Sequence, residues 1–224
     1  MRQLYQDLID YLGQKNEGIS FDYRFLRGAI GAVAFALPII VFFRSDKLFE
    51  LSSISHSYYT PAIDFFVGIL FFVCAFLIAY KGHTKKENLA SSLAAFAALG
   101  VAIFPTDEIR GNDSLTGDIH AVAAIIMFSI LAYFCLSPFA KGVQEKIDNS
   151  RQGDTKISAM KRRRRTYLFC GWAIILIMVS YAITNLISPN LVWKYKLLFW
   201  AEAFSLMIFG IAWSVAAKYL PYMR

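Results

Sequence analysis

Three histidines and three cysteines are all that the 224 residues hold of the side chains that most often bind transition metals or serve as catalytic nucleophile and base. No HExxH, HxxxH or CxxC spacing occurs, which excludes the compact motifs by which a single helix or loop gathers zinc. The odd cysteine count, with Cys74, Cys135 and Cys170 all inside apolar runs, excludes a disulfide framework. They read as small apolar packing residues. Charge is scarce as well, at 17% of residues, where a soluble domain carries roughly a quarter. The opening MRQLYQDLIDYLGQKNEGIS holds acids and amides in place of the unbroken apolar core of a secretory signal. Its Leu4, Leu8, Ile9 and Leu12 recur at helical spacing and predict a short amphipathic helix on the membrane surface within residues 1–24.

Apolar residues are abundant, at 57%, with 16% aromatic. They concentrate in six runs, roughly 25–43, 62–80, 89–105, 119–137, 167–187 and 197–217, each near the ~20 residues that a helix needs to cross the hydrocarbon of a bilayer. The expected fold is an all-α integral membrane bundle of six transmembrane helices over residues 25–217, with a basic cytoplasmic loop at 138–166 and a cytoplasmic tail at 218–224. The third run is Ala-rich, with small residues four apart at Ala90, Ala94 and Ala98 and at Ser91 and Ala95. Such faces let helices approach closely, so this run is expected in the middle of the bundle. Gly28 and Ala32 repeat the pattern in the first run, and Pro38 is a candidate kink.

Charge orients the bundle. With the N-terminus inside, eighteen of the 23 Lys and Arg fall in cytoplasmic segments, and only Arg44, Lys47, Arg110, Lys194 and Lys196 fall outside. Short basic loops resist translocation, so both termini are expected in the cytoplasm. The run KRRRR, at 161–165, is an orientation signal whose Arg162, Arg163, Arg164 and Arg165 contact anionic lipid headgroups; no nucleic-acid partner is expected.

Polar chemistry gathers at the opposite, outer end. The stretch SISHSYYTPAIDFF brings Ser55, His56 and Asp64 to the mouth of the second run; Thr106, Asp107 and Glu108 follow the third; Asp118 and His120 open the fourth; Glu202 sits a turn and a half into the sixth. Ionisable groups within a membrane span are costly unless they meet a partner or a wet cavity. Asp118 is a candidate cap that keeps His120 neutral. Three readings of this set stand side by side. Ser55, His56, Asp64, Asp118, His120 and Glu202 line a pocket for a lipid headgroup or small solute. Alternatively His56, Asp118 and His120 hold a zinc ion that activates water for lipid hydrolysis. In the third, the same groups form a buried network, with Asp64 or Glu202 paired to Arg44, Arg110 or Lys196, that specifies helix packing. A transporter is a further alternative, but no paired interrupted helices or inverted repeat are visible.

The order of features, with SIS ahead of the second run, IFP ending at Phe104 and Pro105, an acidic loop and then His120, is similar to a family of prokaryotic multipass membrane proteins known as a domain of unknown function. More distantly it resembles the six-span DRAM/Sfk-type proteins, which are linked to lipid asymmetry, lipid remodelling and autophagy. The resemblance covers roughly residues 26–217 and points to Ser55, Phe104, Pro105 and His120; it implies a prokaryotic inner-membrane protein that handles lipid. The family pattern has an acid and a glycine where this chain reads ISHSYY, with His56 in the acid's place. A looser likeness, in Ser, His and Asp at span ends, is to the seven-span CREST membrane metal hydrolases.

Overall fold

In the computed structural model the chain is described over residues 23–46, 51–82, 84–108, 114–150 and 156–218, and every regular element among the described residues is helical. These are α1 (Tyr23–Arg44), a 3-10 turn (Ser55–Tyr59), α2 (Ile63–Ala79), α3 (Lys85–Ile103), α4 (Leu115–Phe134), a π turn (Cys135–Phe139), α5 (Ala140–Asp148), α6 (Ile157–Ile187), α7 (Pro189–Lys194) and α8 (Leu197–Ala216). The expected N-terminal surface helix, His83, Lys47, Arg110 and most of the C-terminal tail lie outside the described residues.

Four helices are long and apolar enough to cross a membrane: α1, α4 with its continuation to Asp148, α6 and α8. Helices of this length and composition are compatible with a membrane protein. Helix α2 has 17 residues and α3 has 19, or about 25 and 28 Å at 1.5 Å per residue. Large apolar side chains cover the outside of the bundle, among them Phe96, Phe169, Trp172 and Leu186, the last 83% exposed. Contiguous apolar surface on that scale is stable in lipid and a liability in water.

Contacts at the helix ends fix an alternating course. The Arg24 Nε at the start of α1 donates to the carbonyl of Ala217 just past the end of α8, and Arg27 reaches the Tyr80 hydroxyl at the end of α2. Ser91 near the start of α3 donates to Leu77 near the end of α2. His120 near the start of α4 meets Phe104 at the end of α3. So α1, α2, α3, α4, α6 and α8 run up and down in turn, and the starts of α1, α3 and α6 share one end of the bundle with the ends of α2, α4 and α8. That end carries Arg24, Arg27, Lys85, Lys86 and the KRRRR run, and is called here the basic end.

The bundle's axis is α8, the most buried of the four long helices, which packs on α1, α4, α6 and the π turn. The small-residue helix α3 sits between α2 and α4 instead of at the centre. Its Ser91, Ala94, Ala95 and Ala98 are fully buried, as their spacing predicts, but Leu89, Leu93, Phe96 and Ile103 on its other face are exposed. A small stripe requires close packing on one face only. In α1 a close approach to α8 is made at Gly31, where a Cβ would lie 2.9 Å from the Gly210 carbonyl, and one on Gly210 2.7 Å from the Gly31 carbonyl, while Ala32 is exposed. Pro38 is buried within α1.

The loop expected at 138–166 is largely helical where described. Helix α4 continues through the π turn, which contains Pro138, into α5. A proline removes one N–H from the ladder, and a π turn is the usual local adjustment. KRRRR lies inside α6, because Arg and Lys are good helix formers and the apolar α6 gives them a helix to extend. The cysteines are free and buried. Trp213 of α8 is completely buried among Tyr80, Phe134, Phe139 and Phe209, forming an aromatic layer beneath the basic end.

Candidate functional site

The end opposite the basic end is closed by five cross-links, four of them made by a side chain and one between two backbones. The Ile54 N–H donates to Glu202 Oε2 at 2.6 Å, and the same carboxylate faces the N–H of Ser55. Phe199 N–H donates to the Ser52 carbonyl at 3.1 Å, so the segment ahead of the 3-10 turn is held twice on the first two turns of α8. The Tyr59 hydroxyl donates to the Thr106 carbonyl at 2.6 Å. His120 Nδ1 donates to the Phe104 carbonyl at 2.7 Å, which places the ring proton on Nδ1. Ser114 Oγ donates to Asp107 Oδ1 at 2.6 Å, and a Cβ on Gly117 would run into that carboxylate.

All of these bonds except the side-chain pair of Ser114 and Asp107 answer a backbone need. The last carbonyls of a helix and the first amides of a turn have no intrahelical partner, and in a bilayer no bulk water supplies one. Glu202 covers the exposed amides of the 3-10 turn, and His120 covers the C-terminus of α3. Tyr59, outside the spans, has its phenol pushed above its ordinary value by burial first, then by the Glu108 and Asp107 carboxylates and Tyr58.

Of the six residues expected to line an outer pocket, Ser55, His120 and Glu202 are buried, while Asp64 and Asp118 are exposed on the first turns of α2 and α4. His56 is half-buried, its ring 5.9 Å from that of Tyr59. Asp118 is not the cap of α4. Ser114 is, accepting from the Gly117 N–H, because the helix starts four residues earlier than the apolar run. Arg44 stacks on Phe65 at 5.3 Å and Lys196 on Trp193 at 4.9 Å, so two of the cations offered as carboxylate partners lie on aromatic faces. Among the described residues no three His, Cys, Asp or Glu side chains, His56, Asp118 and His120 included, lie close enough together to hold a metal ion. The space beneath Glu202 and Ser55 is a cavity of about 50 Å³ walled by apolar side chains of α1, α2, α4 and α8. It is too small for a headgroup.

A cavity of about 480 Å³ opens at the basic end, between the ends of α2, α4 and α8, the starts of α1 and α3, the π turn, α5 and α6. Its floor is aromatic, with Tyr80, Phe139 and Tyr167 adjoining the Trp213 layer. Six basic side chains and two acids, Glu87 and Glu145, line it. A cavity of this volume suits a ligand of drug or headgroup size.

No family model, curated protein or solved structure matches this chain.

The residues that make this cavity escape a reading by loops. KRRRR reads as a uniform surface run, yet Arg163 is buried while Lys161, Arg162 and Arg165 are exposed. The signal was periodicity: Arg163, Tyr167, Cys170 and Ile174 recur at four, three and four residues and form the buried face of α6.

Proposed function

We propose that the chain is a six-span integral membrane protein, with α1, α2, α3, α4, α6 and α8 crossing the bilayer and both termini in the cytoplasm, that binds a membrane lipid or small ligand through its basic end. The carrying observation is the contrast between the two ends. At the opposite end Glu202 and His120 are bonded to backbone and the apolar void beneath Glu202 and Ser55 measures about 50 Å³; at the basic end a 480 Å³ cavity stands with a surplus of positive charge. The distribution of Lys and Arg supports a cytoplasmic position for the basic end. The exposed Arg162 and Arg165 and half-buried Arg164 then lie at the level of anionic headgroups, with Arg163 turned inward. The likeness to lipid-handling six-span proteins supports the same reading.

Native mass spectrometry of detergent-released protein tests this. About one retained lipid or small molecule per chain is expected in the wild type, and loss of it in Gly142→Trp. Gly142 lines the cavity, and a Cβ there meets no atom within 4 Å, so the indole fills the cavity without displacing the helix backbone. Retention undiminished in Gly142→Trp contradicts the reading.

A further inference from the structure

Arg163 is 7% exposed, lines the cavity, and its Nε is buried without a hydrogen-bond partner among the described residues. A guanidinium offers five N–H donors in a planar fork and cannot shed its charge. Burying it with a donor unmet is unfavourable, and the neighbourhood adds to the imbalance. Arg27, Lys86, Lys141, Lys146 and Lys218 line the same space. The Arg27 guanidinium donates to the Tyr80 hydroxyl at 3.2 Å and lies over that ring, so it is held facing the cavity. Lys218 stands in the left-handed region at φ 60°, the conformation usually given to glycine after a helix end. A lysine kept there against backbone preference points to a use for its side chain. Its ammonium is disfavoured by burial first, then by Lys146, Arg163, Arg24 and Arg27, so the cations of this end press on one another. Glu87 and Glu145 offset two of the six positive charges and leave a surplus that a multiply charged anion matches better than a carboxylate. Tyrosine hydroxyls of Tyr80, Tyr133 and Tyr167 supply neutral donors around the rim and floor.

We propose that the basic-end cavity is a phosphate site, in which Arg163 is the buried anchor and Arg27, Lys146 and Lys218 complete the charge, for a phosphomonoester or phosphodiester carried by a lipid headgroup or by a soluble compound. The proposal rests on the reading that the basic end is the binding end, and adds the chemical class of the ligand and its anchor. Guanidinium and phosphate oxygens match as bidentate partners, and the remaining volume accommodates the group esterified to the phosphate.

The test uses full-length protein in nanodiscs of phosphatidylcholine. Two probes are titrated, inorganic phosphate and dihexanoyl phosphatidic acid, with thermal midpoint and native mass spectrometry as readouts. Saturable binding of at least one probe is expected. Arg163→Gln should weaken it at least tenfold, Arg163→Lys by less, and Lys85→Gln, exposed and outside the cavity lining, not at all. Should Arg163→Gln fail to fold, Lys146→Glu and Lys218→Glu, both on exposed residues, are expected to weaken binding by at least tenfold together. Phosphatidic acid binding that phosphate displaces identifies a shared site. Phosphate binding alone assigns a soluble source, and lipid binding alone assigns a headgroup. Equal binding of both probes by wild type, Arg163→Gln and the double lysine variant overturns the proposal. If neither probe binds while a co-purified ligand is still lost in Gly142→Trp, the phosphate assignment fails and the basic-end reading stands. If nothing is retained and neither probe binds, both fail.

Discussion

Glu202, in the second turn of α8, accepts the backbone N–H of Ile54 at 2.6 Å across 148 positions of sequence. With the bond from Phe199 N–H to the Ser52 carbonyl, it ties the turn between α1 and α2 to the axial helix. It explains how a carboxylate is tolerated deep in an apolar helix: it meets amides that have no other partner. Replacing Glu202 with Leu leaves those amides unmet, and a loss of about 1.5–3 kcal/mol is expected, the range for a hydrogen bond to a charged group. Glu202→Gln keeps an acceptor oxygen and should lose less. Thermal unfolding in detergent, calibrated by denaturant, distinguishes the two.

At the α1–α8 contact, Gly210→Ala places a methyl 2.7 Å from the Gly31 carbonyl. Because both neighbours are backbone, neither can rotate away, and a loss of about 1–3 kcal/mol is expected from overpacking. Gly68→Ala, where a Cβ meets nothing within 4 Å, should be nearly neutral. Comparison of the two melting curves checks the prediction.

Tyr59 gives the end opposite the basic end a dependence on pH. Its phenol titrates above the ordinary 10.0 in the fold, chiefly through burial, so the folded chain holds this proton more tightly than the unfolded one. The stabilisation is therefore complete below pH 10 and fades as pH rises through the raised value. Tyr59→Phe removes that dependence together with the bond to Thr106, at about 1 kcal/mol at neutral pH. Melting temperatures across the alkaline range, compared between the two proteins, read both effects.

His120→Ala removes the donor to Phe104 and should lower stability by about 1–3 kcal/mol, the penalty for a buried acceptor left without a partner. Since His56, Asp118 and His120 do not converge, an EDTA wash should leave the wild-type melting temperature unchanged. A fall of several degrees on chelation, reversed by zinc and absent in His120→Ala, would restore the metal reading.

Much of the fold is legible in the sequence because the physics is local. Apolar run length and the Lys and Arg count depend on neighbours along the chain, and the six runs coincide with six alternating helices to within a few residues at most ends. The largest misses have specific causes. The KRRRR run reads as loop because charge interrupts hydropathy, whereas Arg163 continues the buried stripe of α6. Gly31 and Gly210 are separated by 179 positions, and no spacing rule links them. At the end opposite the basic end the right residue types are visible in Glu202 and His120, but their partners are backbone atoms of other segments, which carry no side-chain signature. Asp64 and Asp118 have the same residue type as a site carboxylate, and only the first-turn geometry of α2 and α4 turns them outward.

Photo-crosslinking tests the proposed basic-end site most directly. A photoactivatable analogue of phosphatidic acid, incorporated into vesicles that contain the full-length protein, is activated and the labelled peptides are mapped by mass spectrometry. Labels on the π turn and α5, within 135–148, and around Tyr80 and Arg163 are expected, with competition by unlabelled phosphatidic acid. Competable labels confined to the 3-10 turn, Thr106 and the start of α8 would put the site at the outer end and contradict it.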